Sequence, residues 1–166
     1  MAGERLIVSN TTPIINFAEI DRLDVLEGLF GKVVVPPAVV DELLAKRDLF
    51  RKAGDAADCF EVVQPEDRLL VRGFQAAAHA GEAECLALGM ENPGSLLILD
   101  DLSARAMASA NGLPFTGTLG CLVKAKARGL VDALAPLIRE LRVSARFWIS
   151  SELETRVLND AGEFRA

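Results

Sequence analysis

The sequence predicts an α/β protein built on a parallel sheet, and three observations carry that expectation. Short apolar runs rich in β-branched residues alternate with helical stretches of ten or more residues, the pattern of strands joined by crossover helices. The runs Leu6-Ile7-Val8, Lys32 to Val35 and Leu96 to Leu99 are near-continuously apolar, as strands covered on both faces must be. Two of them end in polar clusters, Ser9-Asn10-Thr11-Thr12 and Asp100-Asp101, and open α/β sheets bind ligands beyond the carboxyl ends of their strands.

The elements follow in order. After the first strand, Pro13 to about Ala18 has a helical pattern, with Pro favoured at a first helical position. Asp21 is placed to cap a short helix through Leu29 that Gly31 ends. Lys32 to Val35 is a second strand, stopped by Pro36-Pro37, and a helix from Pro37 to about Arg47 carries Val40, Leu43 and Leu44 on one face. Asp41 and Glu42 on that helix lie about 100° apart, so they cannot face one point equally well. Leu49 to Cys59 reads as helix, Glu61-Val62-Val63 as a short strand and Glu66 to about Ala78 as helix. His79-Ala80-Gly81 is a break before a helix from Glu82 to Met90. After the turn Asn92 to Ser95, Leu96 to Leu99 is the most apolar strand. Helix Leu102–Asn111 is ended by Gly112, strand Leu113–Thr116 follows, and Gly117-Thr118 opens a helix reaching Arg128 before Gly129. Two further helices, about Ala133–Leu141 and Ser150–Asn159, close the chain.

With 166 residues, 51% of them hydrophobic, the chain forms one domain spanning 1–166 with a substantial core. Its net charge of −6 argues against general adhesion to nucleic acid, so binding a polyanion requires local basic patches or metal ions. No apolar run approaches the roughly 18–20 residues of a membrane span. Glu4 and Arg5 lead directly into the first strand rather than forming a signal peptide, so the cytoplasm is the expected compartment. Cys59, Cys85 and Cys121 are widely spaced among apolar residues and read as buried thiols. A single histidine, His79, with no paired cysteines excludes the usual zinc constellations and disfavours a His-based triad. Acid–base or metal chemistry would therefore rest on carboxylates.

The polar residues at strand ends and at the starts of following helices are Asn10, Thr11, Thr12, Asp100, Asp101, Thr116 and Thr118, joined by Glu42, Glu82 and Glu84 on helices. Carboxylates gathered at one sheet edge repel one another unless a cation resolves the charge. Mg²⁺ or Mn²⁺ suits such oxygen ligands, and ions of this kind activate water and clamp phosphodiester oxygens. Each residue also has a plainer role. Asp101 and Thr118 are natural helix caps, Glu82 and Glu84 complement a helix dipole, and Glu42 beside Asp41 fits a solvated face. Lys46, Arg47, Arg51, Lys52, Arg105, Lys124, Lys126 and Arg128 are candidate RNA contacts, each equally at home on a solvated helix face. Aromatics are 5% with no Tyr, so no base-stacking platform is evident.

The order Ile7-Val8-Ser9-Asn10-Thr11-Thr12-Pro13-Ile14-Ile15, then Val34-Val35-Pro36-Pro37-Ala38-Val39-Val40-Asp41-Glu42-Leu43, resembles the PIN-domain nucleases. So do Gly81-Glu82-Ala83-Glu84 at a helix start and Leu97-Ile98-Leu99-Asp100-Asp101 with Ala104-Arg105. The segments Thr116-Gly117-Thr118-Leu119-Gly120 and Arg146-Phe147-Trp148-Ile149-Ser150 resemble one prokaryotic branch of that superfamily. The resemblance covers nearly the whole chain. It implies a three-layer α/β/α sandwich on a parallel sheet of about four to five strands and a Mg²⁺- or Mn²⁺-dependent endoribonuclease site. It also implies RNA as substrate, a small antitoxin as partner and a homodimer. Carried over by position, Glu42 matches the helix glutamate, Glu82 or Glu84 the third acid, and Asp100, or failing that Asp101, the fourth. Catalysis is thus assigned to Glu42, Glu84 and Asp100. Metal binding falls to these together with Asn10, Glu82 and Asp101, and substrate contact to Thr11, Thr116, Thr118 and Arg105. The family usually carries Asp where this chain has Asn10. An amide still offers its oxygen to a metal but brings no charge.

Two other classes compete with a ribonuclease. One is a degenerate PIN-like domain that binds or regulates, with Asn10 marking lost catalysis. The other is a phosphoacceptor receiver-like domain, which wants paired acids near the N-terminus that the first strand does not offer. Dinucleotide binding is disfavoured because no Gly-rich turn follows the first strand. Apolar residues near Phe50, Cys59 and Phe60, or at Phe147 and Trp148, could form a dimer or antitoxin surface, or belong to the core.

Overall fold

Strand β1 (Ile7–Ser9) occupies the middle of a five-stranded sheet because its three residues are buried on both faces, which only a central strand allows. The computed structural model describes residues 4–46 and 58–163. The other strands are β2 (Val33–Val35), β3 (Phe60–Val62), β4 (Leu96–Ile98) and β5 (Phe115–Thr116). All pair in parallel in the order β3-β2-β1-β4-β5. β2 is likewise fully buried and β4 nearly so, whereas the edge strands β3 and β5 are partly exposed. The order reverses between β1 and β4, which are locked in register as Ile7↔Leu96, Val8↔Leu97 and Ser9↔Ile98. That reversal opens a crevice at the carboxyl ends of β1 and β4, where Asn10 and Asp100 stand.

Nine helices are present among the described residues: α1 (Thr11–Glu19), α2 (Asp24–Phe30), α3 (Pro37–Leu44), α4 (Arg68–Gln75), α5 (Ala80–Glu91), α6 (Leu102–Ala110), α7 (Thr118–Ala127), α8 (Leu134–Ser144) and α9 (Ser151–Asp160). Helix α5 packs on β1 and β4, with α3, α4 and α6 on its flanks. On the other side α2 packs on β2 and α7, and α1, α7 and α8 pack together. The result is a three-layer α/β/α sandwich, the architecture expected from sequence. Its core is closed by fully buried Phe17, Leu26, Leu86, Leu97, Ile98, Leu99, Leu122, Ile138 and Leu158. Burying a side chain of this size stabilises the fold by about 1.5–3 kcal/mol. No helix among the described residues is long and apolar enough to cross a membrane.

Several boundaries differ from expectation for identifiable reasons. Helix α1 begins at Thr11, so Pro13 sits in its first turn rather than at its first position; first-turn N–H groups have no intrahelical partner, so Pro costs nothing there. Asp21 does not cap α2. It adopts φ 53° in the turn leaving α1, and α2 begins at Asp24 after an uncapped Leu23. Helix α3 ends at Leu44, three residues before Arg47, and α5 begins at Ala80, two before Glu82. The expected ends of α6 and α7 hold: Gly112 and Gly129 take φ 67° and 72°, and the following residues donate to Ala108 and Ala125 carbonyls at 2.8 and 2.9 Å. The expected helix 49–59 and the basic residues Arg47, Arg51 and Lys52, with Phe50, lie outside or largely outside the described residues.

The three cysteines are buried free thiols. Desolvation pushes Cys59 up to about 11 and Cys121 up to about 12, and raises fully buried Cys85 as well.

Candidate active site

Asn10 follows β1 and its backbone N–H donates to the Ile98 carbonyl at 3.1 Å, continuing the β1–β4 ladder one residue past the strand. It stands at the N-cap of α1 with extended backbone, yet its side chain makes no capping bond. The residue is 4% exposed, and its side-chain oxygen Oδ1 is buried without a hydrogen-bond partner. Leaving such an acceptor unpaired costs about 1–3 kcal/mol. No hydrogen bond among the described residues accounts for that oxygen.

Asn10, Thr11, Thr12, Glu42, His79 and Glu82 line a cavity of about 460 Å³. On α3 the 100° offset between neighbours resolves itself, with Asp41 exposed and Glu42 half-buried toward this cavity. Glu42 is fixed from two sides, by the Thr11 hydroxyl donating to Oε2 and by the Gly81 N–H donating to Oε1 at 3.2 Å. A Cβ on Gly81 would stand 2.7 Å from Glu42 Oε1, so the glycine before Glu82 is the gap through which the carboxylate reaches the helix terminus. Glu82, in the first turn of α5, accepts the His79 N–H at 3.1 Å and still borders the cavity.

Glu84 is placed differently. It is 8% exposed, accepts the Ala38 N–H at 2.9 Å at the start of α3, and lies 3.9 Å from Arg68. Pro36 cannot cap α3 with its side chain, and Glu84 from α5 supplies the missing acceptor. Of the two candidate glutamates, Glu82 borders the Asn10–Glu42 cavity and Glu84 ties α5 to α3.

Asp100 is held by more donors than any other acid in the crevice. Its Oδ1 accepts the Thr118 N–H at 2.8 Å, and its Oδ2 accepts the Thr118 hydroxyl at 2.5 Å and the Asn16 amide at 3.0 Å. Arg105 lies 3.8 Å from Oδ1, donates to the Leu99 carbonyl at 2.7 Å and sits 5.6 Å over the Phe115 ring. Gly117 is required here, because a Cβ would lie 2.6 Å from Asp100 Oδ1 and collide with the Arg105 guanidinium. Thr118 is fully buried, and Thr116, at the end of β5, accepts the Leu99 N–H through its carbonyl at 2.8 Å. Asp101 caps α6 by accepting the Ala104 N–H at 2.9 Å.

Asp100 borders a second cavity of about 420 Å³ with Thr12, Asn16, Arg105, Phe147 and Trp148, and Thr12 lines both cavities. Asn16 is not among the residues expected from sequence. Its amide also donates to Thr118 Oγ1 at 3.1 Å, so it orients the Asp100–Thr118 pair from a buried position on α1. The one signal for it is an amide in the otherwise apolar stretch Ile14-Ile15-Asn16-Phe17. The basic residues of α7 face elsewhere. Lys124 borders a larger cavity, about 650 Å³, with Arg5, Ile7 and Lys32 at the opposite ends of the strands. Lys126 is bound to the Asp132 carbonyl and Arg128 to the Leu29 carbonyl. That larger cavity holds none of the strand-end acids, so volume does not identify the site.

The family model described as a PIN domain matches residues 6–163. This chain belongs to the PIN-domain family. No curated protein matches it. A PIN domain is a nuclease-type fold, and PIN domains generally use divalent metal ions. Among the described residues of this PIN domain no three His, Cys, Asp or Glu side chains are grouped to hold a metal. The fit is to a sparser donor set. Asn10, whose side-chain oxygen has no partner, lines one cavity with Glu42 and Glu82, and a hard divalent ion commonly takes only one or two carboxylates, completing its shell with water and substrate phosphate oxygens.

Proposed function

We propose that this PIN domain is a Mg²⁺- or Mn²⁺-dependent endoribonuclease. The observation that carries the reading is the buried, unpartnered side-chain oxygen of Asn10, a residue that lines the same cavity as Glu42 and Glu82. These three residues would hold the ion. Bound there, a divalent ion supplies an activated water and neutralises the oxygens of the scissile phosphate. The protein's own part is orientation. Thr11 and Gly81 fix the Glu42 carboxylate, and Thr118 with Asn16 fixes Asp100. Arg105 places a cation beside Asp100 at the edge of the adjoining cavity, where an RNA phosphate would meet it. The uncapped N-terminus of α1 adds partial positive charge at the same place.

The test is cleavage of a labelled RNA by purified protein with Mn²⁺, alongside calorimetric Mn²⁺ titration. Activity is expected, with Glu42→Ala removing both activity and metal binding and Asp100→Ala removing activity. A second reading, a PIN domain that binds without cleaving, is favoured by two observations: Asp100 already accepts three protein hydrogen bonds, and no three-acid group forms among the described residues. Absence of cleavage and of Mn²⁺ binding, with either restored by Asn10→Asp, selects that reading. Family membership further supports a small antitoxin partner, a homodimer and action in the cytoplasm. Co-purification with the product of a neighbouring reading frame and sedimentation velocity test the first two.

A further inference from the structure

Trp148 is 83% exposed although the segment that carries it is pinned on both sides. The Phe147 N–H donates to the Leu141 carbonyl at 3.1 Å, and Ile149 is buried. The Ile149 carbonyl accepts from Arg142 at 3.3 Å while Arg142 is held by Glu154 at 2.6 Å, and Ser150 caps α9. Arg146 turns the chain out of α8 at φ 52°, a left-handed conformation that non-glycine residues seldom take. A large aromatic is thus held in water by a built loop, against the burial expected of Trp. It lines the 420 Å³ cavity that also contains Asp100, Arg105 and Arg146.

We propose that this cavity is a nucleobase subsite, in which an unpaired RNA base stacks on Trp148 while Arg105 and Arg146 meet its flanking phosphates. Stacking on an indole needs no sequence-specific contact, because every base presents a π-face. Arg105 offsets Asp100 in this cavity and Arg146 leaves it one positive charge in excess, local attraction for a polyanion on a chain whose net charge is −6. Thr12 lines both this cavity and the Asn10–Glu42 cavity, so the two adjoin, and a base on Trp148 would set the neighbouring phosphodiester on the side of the acids. The occupant is single-stranded RNA, since a base within a duplex cannot leave its stack without cost.

This subsite rests on the ribonuclease reading for its substrate class, and the experiment separates the two. Trp148 is the only Trp and the chain has no Tyr, so intrinsic emission reports this residue almost alone. Full-length protein in EDTA, where no hydrolysis occurs, is titrated with a short oligoadenylate and with an abasic oligomer of equal length. Saturable quenching by oligoadenylate and little by the abasic chain are expected; because the variants carry no indole, their affinity is read by anisotropy of an end-labelled oligoadenylate, weakened about 5- to 150-fold in Trp148→Ala but largely kept in Trp148→Phe. Equal quenching by both oligomers overturns the proposal. So does unchanged RNA affinity in Trp148→Ala, and if that variant also changes the sedimentation profile the surface docks protein instead. Base-dependent quenching without Mn²⁺-dependent cleavage keeps the subsite and removes the nuclease reading. Cleavage that is indifferent to Trp148→Ala does the reverse.

Discussion

Asn10→Asp is the substitution that bears most directly on the site. The new carboxylate would sit at a position 4% exposed, on the wall of a cavity shared with Glu42 and Glu82, and with no protein donor at the buried position of the present amide oxygen. Desolvation and like charge both raise its folded-state pKa above the unfolded value of about 3.9. An acid raised on folding binds its proton more tightly in the native state. The penalty is therefore absent below about pH 4, grows as pH climbs to the raised pKa, and is complete above it. A tenfold tighter hold on the proton is worth about 1.4 kcal/mol, so a hundredfold tighter hold costs about 3 kcal/mol at pH 8. For a chain of this length that lowers Tm by about 6–12 °C in EDTA. A divalent ion that binds the folded site alone offsets nearly all of this; at a hundredfold excess over Kd it returns about 2.7 kcal/mol. Thermal unfolding at pH 5 and pH 8, with EDTA or with Mn²⁺, reads all of this. A variant as stable as the parent at pH 8 in EDTA, and indifferent to Mn²⁺, would refute the placement of Asn10 in a metal cavity.

Other substitutions probe the supports of the acids. Gly81→Ala puts a methyl 2.7 Å from Glu42 Oε1 and displaces a flexible side-chain end, so Mn²⁺ affinity by calorimetry should fall about 10- to 100-fold while Tm changes little. Thr11→Val removes the other support and should act in the same direction. Gly117→Ala drives a methyl into Asp100 and Arg105 together, and urea unfolding should show a loss of about 1–3 kcal/mol accompanied by loss of cleavage. Cys121 and Cys59, raised to about 12 and about 11, should resist iodoacetamide at pH 8 in the native protein and react once it is unfolded in urea.

Sequence pattern locates the crevice because the signals there are local. A strand buried on both faces is largely apolar, so its end is marked by a polar cluster, and Asn10 and Asp100 follow β1 and β4 by one and two residues. What pattern cannot reach is the pairing of side chains across elements. Glu82 and Glu84 differ by two positions on one helix, roughly 200° around it, and only the packing of α5 against α3 decides which one faces Asn10. The roles of Asn16 and Trp148 are hidden for the same reason. One amide in an apolar helix and one aromatic in a short connection carry no periodicity, and their places emerge only when α1, α7 and the 145–150 segment converge on Asp100. Asp21 misleads because a capping residue and a left-handed turn residue draw on the same short polar side chains.

The charges of the crevice account for the amide at Asn10. Asp100 has Arg105 beside it and Glu84 has Arg68, so neither carboxylate stands without a cation. Asp101 is exposed and occupied as a helix cap. Glu42 and Glu82 remain, bordering one cavity, with only a hydroxyl and backbone N–H groups as partners among the described residues. Their combined charge of about −2 equals what one divalent ion neutralises, with Asn10 contributing an oxygen and no further charge. An aspartate there would leave a third negative charge for the folded apoprotein to carry. On the proposed reading the amide thus trades metal affinity for stability of the empty site, and Asn10→Asp should bind Mn²⁺ more tightly than the parent while being less stable without it. If the Asp variant instead binds Mn²⁺ no better, the cavity is not a cation site and Glu42 serves only to join α3 to α5.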